Sequence, residues 1–106
     1  MRLGRVVTSA LSGALLINAI PHTVRGVTGQ PFPTPFADPP GVGLSSPATN
    51  VGWGMANLAG ALLLHRRWPS AGDRVTFFVG AAAMGVGLAR LFGANPNVAP
   101  KGRRRR

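Results

Sequence analysis

Charge and apolarity are segregated along this chain, and that segregation most constrains what it can fold into. Three apolar runs follow one another, and the basic residues stand outside them at Arg2, Arg5, Arg25, Arg66, Arg67, Arg74, Lys101 and the closing arginines. Only Arg90 lies inside a run. The chain carries twelve basic and two acidic residues, a net charge of +10, so it lacks the mixed charged face that keeps a small soluble domain in water. A basic balance of this size suits nucleic acid or an anionic membrane. A nucleic-acid binder needs its cations along a folded polar face, and here there is almost no such face. The expectation is an all-α membrane protein with lipid as solvent and no nucleic-acid partner.

In 106 residues there is room for one domain. The first run gives nineteen uncharged positions from Val6 to Val24, close to the roughly twenty that cross a ~30 Å hydrocarbon core. A cleaved signal peptide is the rival reading of this segment. Pro21 restricts the residue before it, so the first span is expected over about 5–20. Ser46 is a good N-cap and Pro47 a good first helical residue, which predicts a second span over 47–64. Ser70 followed by Asp73 reads as a capping box before a third span over about 74–93. Arg90 would snorkel toward the interface near that helix's end. Trp53 and Trp68 lie fifteen residues apart, roughly 23 Å along a helix, which fits two aromatic belts. The basic tail, 96–106, is expected to be disordered and to lie on anionic headgroups, its membrane partner.

Between the first two runs lies a proline- and glycine-rich stretch, 21–46, with only Arg25 and Asp38 as formal charges. It is expected to be a structured loop at the mouth of the bundle, with Phe32 and Phe36 at headgroup level or capping the helices. Pro31 to Phe36 is expected to be extended.

Two stripes of small residues predict how the helices associate: Ala48, Gly52, Ala56 and Gly60 in the second span, and Ala81, Gly85, Ala89 and Gly93 in the third. In lipid, helices adhere through close approach at such stripes. With the short connection 69–74, the expectation is a tight hairpin of spans two and three, with the first span alongside or serving a partner. A homo-oligomer or a membrane-protein partner is part of that expectation. Basic residues are nearly balanced between the two sides, so orientation rests on the first helix and second loop, which put the N-terminus in the cytoplasm.

Chemistry is sparse. There is no cysteine and no HxxxH, HExxH or CxxC spacing, so no metal or cofactor is expected, nor enzymatic activity in isolation. The candidate functional residues are His22 and Arg25, three apart, which could hold an anion or relay a proton, against the plainer role of pinning the loop. Asn18 is read as a capping amide or an interhelical hydrogen bonder, and Asn57, in mid-span, must find a partner in lipid.

The strings N-A-I-P-H at 18–22, R-G-V-T-G-Q-P-F-P-T-P-F-A at 25–37, L-S-S-P at 44–47 and N-V-G-W-G at 50–54 resemble a family of small, uncharacterised bacterial integral membrane proteins. The resemblance spans roughly 18–64. It implies a multi-pass protein of the bacterial inner membrane with three or four helices, and it carries no functional residues. A more distant similarity in layout to DoxX-like membrane proteins suggests an accessory subunit of a membrane redox assembly. The leading expectation is a structural or partner-binding membrane protein. The alternative is a small oligomeric transporter or channel with Asn18, His22 and Asn57 lining its path.

Overall fold

The computed structural model describes residues 2–98, which form three helices and a structured loop. α1 runs Leu3–Val27, α2 Pro47–Leu64 and α3 Ala71–Ala94, with two-residue strands β1 (Phe32–Pro33) and β2 (Leu44–Ser45) in the loop. At 1.5 Å per residue, α1 and α3 are roughly 36 to 38 Å long and α2 about 27 Å. Both α1 and α3 are long and apolar enough to cross a membrane.

The local start signals act as read. Ser46 Oγ accepts a hydrogen bond from Thr49 N at 3.1 Å, with Pro47 as the first helical residue. At α3, Ser70 Oγ accepts from Asp73 N at 3.1 Å while Asp73 Oδ2 accepts from Ser70 N at 2.9 Å, closing the capping box.

The end of α1 differs from the expected stop at residue 20. Pro21 lies inside the helix, and six further residues continue to Val27. A proline there deletes the hydrogen bond to Ile17 O. The turn beyond it is held instead by its docking on α2. Gly26 sits so close to the Pro47 carbonyl and Val51 that a Cβ would come within 2.7 Å of both. The true stop is a Schellman motif: Gly29 takes φ +74, its N–H bonds Gly26 O at 3.1 Å, and Gln30 N bonds Arg25 O at 2.9 Å.

The helix order in space also differs from the expected hairpin. α1 is the central helix; α2 and α3 both pack on it and scarcely touch each other. Against α2 its contacts fall as the partner number rises (Asn18 with Asn57, Ser12 with Ala61), so the pair is antiparallel. Against α3 they rise together (Arg5 with Asp73, Gly13 with Phe77), so that pair is parallel. Ala48, Gly52 and Ala56 are exposed, and so are Ala89 and Gly93. Of the two stripes, Gly60 lies against Leu15, Gly85 against Ile17, and Ala81 is buried. The faces that meet α1 are Asn50–Gly54–Asn57–Ala61 on α2 and Phe77–Gly80–Ala81 on α3.

Residues 28–46 form the structured loop. β1 and β2 pair antiparallel, Phe32 opposite Ser45 and Pro33 opposite Leu44. Gly41 N and Ala37 N both bond Thr34 O, at 2.8 and 3.1 Å. The loop is tied to the end of α3 by Asn95 Nδ2 and Asn97 Nδ2, which donate to Val42 O at 3.0 and 2.9 Å. Of the expected tail, residues 96–98 form a turn, and the rest lies outside the described residues.

The distribution of side chains is inverted relative to a water-soluble protein. Among the described residues, the buried hydrophobic side chains are Ala19, Phe32, Ala61 and Ala81. The buried polar or charged ones are twice as many, and include Ser9, Ser12, His22, Asn50, Asn57 and Asp73. Large apolar side chains meanwhile face outward along all three helices, among them Leu63 at 85%, Leu62 at 67%, Phe78 at 67% and Val75 at 64% exposure. In water the opposite partition is expected.

Candidate functional site

Asn18, His22 and Arg25 occupy positions four and three residues apart on α1, so one face of the helix presents all three toward α2 and the loop. Asn18 Nδ2 donates to Asn57 Oδ1 at 3.0 Å, and Asn57 Nδ2 donates to its own helix at Trp53 O, 2.8 Å. The amide in the middle of α2 thus finds its partner on α1, and Asn18 acts as an interhelical bonder rather than a cap.

His22 is buried, and its Nδ1 lies 2.8 Å from Asn50 Oδ1. Asn50 Nδ2 lies 2.9 Å from Phe32 O, 3.0 Å from Ser46 O and 3.2 Å from Ser45 O. Carbonyls only accept, so that amide nitrogen faces them and Oδ1 must receive its proton from His22 Nδ1. In the neutral ring with that tautomer, Nε2 is the acceptor. Its edges meet three aromatic rings: Phe32 at 5.4 Å, Phe92 at 6.3 Å and Trp53 at 6.5 Å between centroids. Helix one, helix two, helix three and the loop therefore converge on one imidazole.

Arg25 does not join His22. Its guanidinium donates to Gln30 Oε1 at 2.7 Å and lies 5.3 Å from the centre of the Phe32 ring. The two residues are linked only through Phe32, which His22 meets edge-on and Arg25 covers. Phe32 caps the bundle, whereas Phe36 stays 67% exposed against Trp53.

Beside His22 is a cavity of about 110 Å³, with Asn18, Thr34, Trp53 and Phe92 in its wall. Trp53 Nε1 is buried without a hydrogen-bond partner. The space has room for ordered water between these groups. Among the described residues no group of three metal-ligating side chains occurs.

Asn50, at the centre of this arrangement, is legible in the sequence only as the amide that shares a helix face with Asn57, not as a candidate functional residue. The signal existed: Asn50 and Asn57 are seven apart and share a helix face. What the sequence lacked was the loop carbonyls of Phe32 and Ser45, which only the folded loop delivers.

The chain matches no protein-family model, no curated protein and no solved structure. Function is therefore argued from the geometry.

Proposed function

We propose that this chain is a multi-pass membrane protein in which all three helices cross the bilayer, acting as a structural or partner-binding component. The observation that carries the reading is the inverted partition: amides, hydroxyls and an imidazole inside, leucine, valine and phenylalanine outside. In lipid, burying apolar surface brings no gain, whereas an unpaired amide costs several kcal/mol. The partition fits that solvent. α2 carries two amides, Asn50 and Asn57, and both are satisfied within the protein. With its amides turned inward, its outer face of Met55, Leu62 and Leu63 suits acyl chains.

The polar groups a transporter would set along its path are here bonded to one another, Asn18 to Asn57 and His22 to Asn50, which supports the structural reading over a channel. The bacterial inner membrane is the setting the family resemblance implies.

Cysteine accessibility tests the topology, since the chain has no native cysteine. Asp38→Cys in the loop and Ala71→Cys at the start of α3 are expected to react with a membrane-impermeant thiol reagent from opposite sides of the membrane. Reaction of both from one side overturns the three-span arrangement.

A further inference from the structure

The end of the bundle opposite the loop holds a second polar centre. Asp73 is buried, and both its oxygens are taken by the Arg5 guanidinium, with Nε 3.3 Å from Oδ1 and Nη2 on Oδ2. Arg66 approaches the same carboxylate through Nε at 3.9 Å and donates from Nη2 to Thr8 Oγ1 at 3.3 Å. Arg74, one residue on, is exposed. Two arginines thus meet one aspartate, whose charge Arg5 already neutralises, and Arg74 adds a third positive charge at the cleft.

A cleft of about 260 Å³ opens here between α1, α3 and the connection joining α2 to α3. Arg66 and Arg74 stand in its wall, and Pro69, Phe77 and Phe78 make much of the rest apolar. Two polar atoms in its lining are buried with no hydrogen-bond partner: Ser9 Oγ, on a residue only 4% exposed, and Arg66 Nε. A buried donor without an acceptor is costly, and more so when charged. A hydroxyl donor, an unfilled guanidinium N–H and a surplus of positive charge lead to an apolar floor.

The geometry points to a binding site for one anionic phospholipid, its phosphate taken by Ser9 Oγ, Arg66 Nε and Arg74, and its acyl chain lying along Phe77 and Phe78. The guanidinium fork matches phosphate oxygens. The apolar wall selects a phosphate that carries a hydrocarbon chain over free phosphate. Basic pockets between helices at the membrane surface are suited to such headgroups. The inference rests on the membrane reading above, because a lipid reaches this cleft only from a bilayer.

The test is native mass spectrometry of the full chain in neutral detergent, with phosphatidylglycerol or phosphatidylcholine added, beside vesicle flotation. One phosphatidylglycerol is expected to stay bound in preference to phosphatidylcholine. Arg74→Gln should weaken its retention roughly tenfold and Ser9→Ala roughly three- to tenfold. Without lipid, Ser9→Ala should keep or raise the melting temperature, since it removes an unpartnered hydroxyl. A structural role for that hydroxyl would lower it. Equal retention of the two lipids, or parental retention in both variants, overturns the site. Displacement by millimolar inorganic phosphate with no contribution from the acyl chain overturns the lipid as occupant. Flotation separates the two levels. A chain that floats with both vesicle types and shows no anionic preference loses only the site. One that stays monodisperse without detergent and floats with neither loses the membrane reading as well.

Discussion

The two faces of α1 are joined to their neighbours by different physics. Toward α2 the seam is polar and made by side chains: Asn18 to Asn57, His22 to Asn50, and Ser12 Oγ to Ala61 O at 2.7 Å. Toward α3 it is made mainly by proximity, with the Arg5–Asp73 ion pair at one end, while the α2 seam adds close approaches of its own at Gly26 and Gly54. A Cβ at Gly13 would overlap the Phe77 carbonyl oxygen, and one at Gly80 would overlap Ala10 O, so backbone lies directly on backbone. A hydrogen-bonded seam specifies register through direction, whereas a close-approach seam specifies it through shape. One central helix uses both, which lets two neighbours attach with scarcely any contact between them.

The largest expected effect lies in the seam of shape. Gly80→Leu should cost about 3 kcal/mol, the upper end for overpacking, because the obstructing atoms are backbone and cannot rotate away. Denaturation by SDS titration reads this, and disulfide trapping between Ser12→Cys and Ala61→Cys should show the α1–α2 seam still formed. Loss of both seams together would break the comparison.

Next is Asn50→Leu, which strands the His22 N–H and the carbonyls of Phe32, Ser45 and Ser46, at about 2–3 kcal/mol. Limited proteolysis should then cut residues 28–46 faster, while α3 stays docked. Unchanged proteolysis would show that the Asn95 and Asn97 ties to Val42 hold the loop alone.

Asn57→Leu should cost less, about 1 kcal/mol, typical of an interhelical hydrogen bond in a membrane. Gly52→Leu should fall within about 0.5 kcal/mol, since nothing lies near that position and it is exposed. A large loss at Gly52, with cross-linking of dimers reduced in parallel, would show that the outward stripe Ala48–Gly52–Ala56 serves a second copy of the chain.

Much of the fold was legible, in unequal parts. Ser46–Pro47 and Ser70–Asp73 set the starts of α2 and α3, because a cap is an interaction between residues three apart. The stop of α1 was written in the same local code at Gly29, but Pro21, nearer the start, suggested an earlier break. The docking of Gly26 and His22 carries the helix past the proline.

For the packing, two readings of α2 conflicted. Asn50 and Ala48 are two residues apart, about 200° around the helix, so amides and small-residue stripe point to nearly opposite sides. Only one face can meet α1. The amides take it, since a buried amide left without a partner costs more than a small-residue contact forgone. In the site, Asn18 and Asn57 were legible as amides that need partners. Asn50 and the separation of Arg25 from His22 were not, because both depend on where Phe32 comes to rest.

The sequence by itself determined three apolar segments, their polar ends and a loop too ordered in composition to be a linker, all through interactions along a few residues of chain. Tertiary structure decided that α1 is the centre, that His22 gathers every element around it, and that Ser9 and Arg66 share a cleft. Those outcomes join residues as much as 70 positions apart, His22 and Phe92, and they turn on which helix faces are satisfied when all three segments compete for the same neighbour.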